Sequence, residues 1–127
     1  MTRERFQRLV ERALEELPAR FRKLIENVAV VIEDAPPGQP GASTGAARDL
    51  LMGEFIGTAR TEKSIWDVPA GPDRVVLYQK NIEAYARRAA AEDDRTLEDI
   101  IREEVRLTVL HELGHYFGLD ESQLEDV

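Results

Sequence analysis

The sequence predicts an α+β domain on three observations. An apolar stripe at helical spacing lies near the N-terminus, short β-branched runs occupy the middle of the chain, and a long amphipathic helix lies toward the end. A chain of 127 residues is long enough for one core and too short for two, so residues 1–127 are expected to form a single domain.

The first helix is read from Phe6, Leu9, Val10, Ala13, Leu14 and Leu17, which fall at i, i+3, i+4, i+7, i+8 and i+11. Pro18 ends or interrupts it. Val28–Ile32 is a short β-branched run bounded by polar residues, which predicts a buried strand. The segment from Asp34 to Gly45 is dense in Pro, Gly and Ser and poor in apolar anchors, so a mobile connection is expected there. Composition leaves open whether this 34–47 loop closes over a site. Leu50–Thr58 alternates poorly and holds two glycines, the pattern of an edge or bulged strand. After the turn-rich Asp67–Asp73 comes Arg74–Lys80, with Val75, Val76, Leu77 and Tyr78, a second strand. Asn81 is expected to cap a helix running through Tyr85 to Ala91, with Asp93 and Asp94 marking its end. Thr96, with Asp99 three residues on, opens the longest helix. Its apolar stripe runs from Leu97 through Ile100, Ile101 and Val105 to Phe117, and Gly118 suits a left-handed stop.

Bulk properties narrow the function. A net charge of −8 with acids spread along the chain argues against nucleic-acid binding, which needs clustered Lys and Arg, and is compatible with cationic partners. No stretch approaches the run of about 18–20 apolar residues that spans a bilayer. The N-terminal segment has no apolar core of a secretory signal, and there is no cysteine to form a disulfide or a thiolate metal site. Cytoplasmic residence is the resulting expectation. The oligomeric state stays open.

The chemistry concentrates in HELGHYFGLDE, His111–Glu121. Four residues make a little over one helical turn, so His111 and His115 project from one face and can share a cation. Glu112 lies about a hundred degrees around the helix from His111. From there it can reach a metal-bound water without being a ligand, as general base. The chain has only two histidines, and both are in this motif. Zinc is the expected metal, and another divalent cation is compatible with the same donors. A catalytic zinc takes three protein ligands. Counted from His111, the third ligand of an extended HExxHxxGxxH pattern would fall on Glu121, giving HExxHxxGxxE here, with Asp120 and Asp126 as alternatives.

This extended pattern resembles that of the metzincin clan of zinc peptidases. It departs from that clan in lacking a downstream methionine, since Met1 and Met52 both lie upstream. A nearer resemblance is to the minimal zincin-like proteins, a small bacterial family of predicted metallopeptidases. It is carried by LLMGEFIGTAR, RVVLYQKNIE and TVLHELGHYFGLDE in that order over about residues 50–124, and by His111, Glu112, His115, Phe117, Gly118 and Glu121 within the last block. The resemblance implies a zincin-like α+β core, in which a small mixed β-sheet is joined to a long active-site helix carrying HExxH and to the N-terminal amphipathic helix. It also implies a peptidase acting on peptide or protein substrates. In zincins an edge strand above the metal pairs with extended substrate, a role open to Val75–Lys80. The other reading of that segment is an interior strand burying its Val and Leu. Tyr78, Tyr85 and Tyr116 are candidate hydroxyl donors to an oxyanion.

The expected function is zinc-dependent hydrolysis of a peptide bond, with His111, His115 and Glu121 holding the metal and Glu112 activating water. The alternative is a non-catalytic metal-binding or interaction protein that retains the zincin-like site.

Overall fold

The first helix forms where its apolar stripe demands it. In the computed structural model of the protein, which describes residues 1–38, 51–57 and 73–116, α1 spans Arg3–Glu15 and buries Phe6, Leu9, Val10 and Ala13. The Thr2 hydroxyl accepts from the Arg5 amide at 3.2 Å and so caps the start. Pro18 interrupts the helix as expected, but the chain re-enters a second, short helix, α2 (Ala19–Ile25), with Pro18 itself at the N-cap. Proline costs nothing at a helix start, because the amide it lacks would have had no partner there. Phe21, on α2, is fully buried.

Three strands follow: β1 (Ala29–Glu33), β2 (Gly53–Ile56) and β3 (Arg74–Tyr78). Among the described residues they form a mixed sheet in the order β1-β3-β2. β1 pairs parallel to β3, with Val30 opposite Val75, and β2 pairs antiparallel, with Phe55 opposite Val75. Two expectations need correction. Val75–Lys80 is not an edge strand, since β3 is flanked on both sides and only Arg74–Tyr78 of that run is extended. The physical signal is the unbroken Val-Val-Leu run, which suits a strand with both faces covered, and Val75, Val76, Leu77 and Tyr78 are all buried. Conversely, β1 is not a buried strand; its side chains are half-buried or exposed, as fits a flank. β2 flanks β3 on the other side, as its glycines suggested.

The chain passes from β3 into α3 (Gln79–Ala90) with no connecting loop, so Tyr78 is at once the last strand residue and the helix N-cap. Asn81 is therefore not the cap. It lies inside the first turn, fully buried, and its side-chain amide donates to the Leu51 carbonyl at 2.7 Å. The Tyr78 amide donates to the Met52 carbonyl at 2.9 Å, so the segment entering β2 is held at two successive residues.

α4 runs from Leu97 to Tyr116. The Thr96 hydroxyl accepts from the Asp99 amide at 3.1 Å, which bears out the expected cap. One apolar cluster joins α1, Phe21 of α2, Val75 and Leu77 of β3, Ile82 and Ala86 of α3, and Ile100, Ile101, Val105, Val109 and Leu113 of α4. The helices thus share the sheet face that carries Val75 and Leu77. Arg5–Glu98 and Arg102–Glu16 (3.2 Å) ion pairs tie α1 to α4 at the surface, where each is worth about 0–1 kcal/mol. The protein is α+β, with four helices and a small mixed sheet among the described residues.

Candidate metal centre

The position of the histidines follows from what α4 buries. Val105, Val109 and Leu113 face the core and are fully buried, so residues on the opposite side of the helix face outward. His111 and His115 are both exposed, one turn apart. Their rings meet edge-on, with centroids 4.3 Å apart and planes inclined by 80°. The two Nε2 atoms approach to 3.0 Å. Two zinc-bound imidazole nitrogens at about 2.0–2.1 Å from a tetrahedral ion stand roughly 3.3 Å apart. The separation of the Nε2 pair is thus within a few tenths of an ångström of that spacing.

Glu112 turns the other way around the helix, toward β2. It is half-buried, and its Oε1 accepts a hydrogen bond from the Phe55 amide at 3.0 Å. A strand on the flank of a sheet presents every second amide outward, where it would otherwise meet water. Here the carboxylate next to the first histidine takes one of them.

Close packing between β2 and α4 makes this contact geometrically tight. A Cβ on Gly53 would stand 2.7 Å from Thr108 Cγ2 and 2.9 Å from the Val76 carbonyl oxygen, so only glycine fits there. From the sequence this glycine reads as the mark of an edge or bulged strand, and its close approach to Thr108 is not anticipated.

On the far face of the sheet the Tyr78 hydroxyl donates to Glu54 Oε2 at 3.2 Å. Burial, and then the Glu54 carboxylate, push the Tyr78 phenol up to about 12. That hydroxyl is engaged by Glu54 within the sheet. Tyr85 is half-buried on α3. Among the described residues no group of three or more His, Cys, Asp or Glu converges. The third-ligand candidates Glu121, Asp120 and Asp126 lie outside the described residues, as do Phe117, Gly118 and residues 39–47 of the Pro/Gly-rich loop.

Comparison with known proteins agrees with this architecture. The chain is similar over its whole fold to a conserved hypothetical protein from Thermo thermophilus, with 25% identity, a TM-score of 0.50 and coverage of 92% of this chain and 94% of that one. No curated protein matches the sequence. A family model described as zincin-like metallopeptidase matches residues 25–127, a span that takes in the sheet, α3 and α4 with its two histidines. The chain belongs to the zincin-like metallopeptidase family.

Proposed function

We propose that this protein is a zinc-dependent peptidase in which His111, His115 and Glu121 hold the metal and Glu112 is the general base. The observation that carries the proposal is the joint placement of two convergent imidazole nitrogens 3.0 Å apart and, beside the first, a carboxylate fixed by a strand amide at 3.0 Å. When bound, the cation supplies a Lewis acid that polarises a carbonyl and lowers the pKa of water toward about 7.

The remaining work falls to this chain's own residues. Phe55 donates to Oε1 of Glu112, which leaves Oε2 to take the proton of the attacking water and pass it to the departing amine. β2, not β3, is the strand beside Glu112, and its outward-facing Phe55 amide is engaged by that carboxylate. The net charge of −8 favours approach of cationic peptide or protein substrates over nucleic acid. No described helix is long and apolar enough to cross a membrane. The proposed enzyme is one domain over residues 1–127 working in the cytoplasm, a reading supported by a sequence without cysteine.

The test is Glu112→Gln. Chelator-sensitive cleavage of a peptide library by the wild-type protein should be lost in the variant, with bound zinc unchanged. Retained cleavage, or loss of zinc with the substitution, would contradict the assigned roles. Wild-type protein that binds zinc and cleaves nothing would instead be the non-catalytic metal-binding protein.

A further inference from the structure

We propose that Gly53 and Thr108 are positioning residues: together they set the height of β2 over α4 and so hold Glu112 in place through the Phe55 amide. This role rests on the proposed hydrolysis for its catalytic consequence, but its structural content stands apart from it.

The strand's polarity follows from its pairing. Met52 turns its carbonyl toward β3, where the Tyr78 amide donates to it, so Glu54 and Ile56 also face β3. Gly53 and Phe55 consequently turn their backbone groups away from β3. The Phe55 amide meets a carboxylate 57 residues further along the chain.

The two contacts between β2 and α4 form successive rungs. Gly53 and Phe55 are two residues apart on a strand, a rise of about 6.7 Å. Thr108 and Glu112 are four residues apart on a helix, a rise of about 6 Å on nearly the same face. These repeats match, so Gly53 against Thr108 and Phe55 against Glu112 lie side by side, and the spacing at one rung dictates the spacing at the next. At the first rung there is no slack, since an added Cβ would stand 2.7 Å from Thr108 Cγ2 and 2.9 Å from Val76 O. Carbon atoms in favourable contact sit about 3.5–4.0 Å apart. Opening 2.7 Å to that range lifts β2 by about 0.8 Å or more. A 3.0 Å hydrogen bond on the neighbouring rung does not survive a shift of that size, because by about 3.6 Å it has ceased to be one.

Two variants press the rung from opposite sides, Gly53→Ala from the strand and Thr108→Leu from the helix. Each should lower kcat by about 100-fold, the cost of misplacing a catalytic group by about an ångström, with KM and bound zinc near wild type. A general loss of folding would lower bound zinc along with kcat, so the split separates positioning from instability. Amide hydrogen exchange supplies a readout independent of activity. In the wild type the Phe55 amide should exchange slowly for an outward-facing amide. In Glu112→Ala, Gly53→Ala and Thr108→Leu it should exchange at least ten times faster, while the inward-facing Glu54 amide stays protected.

Wild-type kcat in Gly53→Ala, or a Phe55 amide no slower in the wild type than in Glu112→Ala, overturns the proposal. Should Gly53→Ala fail to fold, the Thr108→Leu kinetics and the exchange comparison between wild type and Glu112→Ala decide it. If the wild-type protein cleaves no peptide, the proposed hydrolysis falls, and the exchange rates still judge the positioning contact.

Discussion

Among the described residues the sheet has two flanks, and they are closed by opposite means. At β1 the Arg3 guanidinium reaches over from α1, donates to the Ile32 carbonyl at 2.7 Å and pairs with Asp34, which also lies 3.9 Å from Lys80 Nζ. At β2 a carboxylate accepts from the Phe55 amide. Both devices satisfy backbone groups that would otherwise invite another strand. They differ in what the side chain is free to do. Arg3 is well exposed and does nothing further that the structure records. Glu112 is half-buried beside the imidazole pair, so closing the flank and placing the proposed base are one contact. A general protective habit of sheets becomes, on one side only, part of the proposed site.

The largest expected effect tests that asymmetry directly. Glu112→Ala should lower kcat by about 10²–10⁴-fold, the usual worth of a general base, whereas Arg3→Ala should leave kcat within twofold of wild type. Equal losses in steady-state assays of the two variants would mean that the flanks are not functionally distinct. Next comes the strand both flanks share. Leu77 is fully buried in β3, and Leu77→Ala should cost about 2–5 kcal/mol in denaturant unfolding. It should also speed amide exchange at β1 and β2 alike, which separates loss of the sheet from loss of one flank.

A smaller effect is expected from Arg3→Ala, about 1 kcal/mol or less, because its ion pair is solvated. Its clearer sign should be a rise in light scattering on concentration, as the uncovered Ile32 carbonyl becomes available to other chains. The smallest concerns Glu104, one turn before Thr108 on α4. Burial, and then its neighbour Glu103, hold its carboxyl above the usual range. A raised folded-state pKa means that the folded state holds the proton more tightly, so stability is fully present below the unfolded pKa and is lost as pH rises through the folded one. Glu104→Gln should therefore raise Tm slightly at pH 7, and the gain should vanish once the pH falls below the carboxylate range.

How much of this was legible depended on how local each feature is. His111, Glu112 and His115 lie within five residues on one helix, so their spacing fixes which face the imidazoles share before any tertiary contact exists. The α1 stripe and the Thr96 cap are equally local. The interior position of β3 was half-written in Val-Val-Leu but needed its two neighbours to decide it. Asn81 was read as a cap because its type suits one, whereas its true partner, the Leu51 carbonyl, is brought near only by folding. α2 escaped notice because seven residues with one buried side chain leave almost no periodic signal, although Pro18 at its start was the available clue. The Phe55–Glu112 contact spans 57 residues, and no local pattern encodes it.

The joint where β3 becomes α3 has a mechanical implication. Leu51 and Met52 are fastened to it by Asn81 and by the Tyr78 amide, so β2 is anchored at its incoming end. The strand then runs to Ile56, paired with β3 throughout, with the Glu112 carboxylate leaning on it one residue before its end. Any ligand that shifts this end of β2 would tilt the carboxylate with it, and the fastening at Leu51 and Met52 opposes that shift.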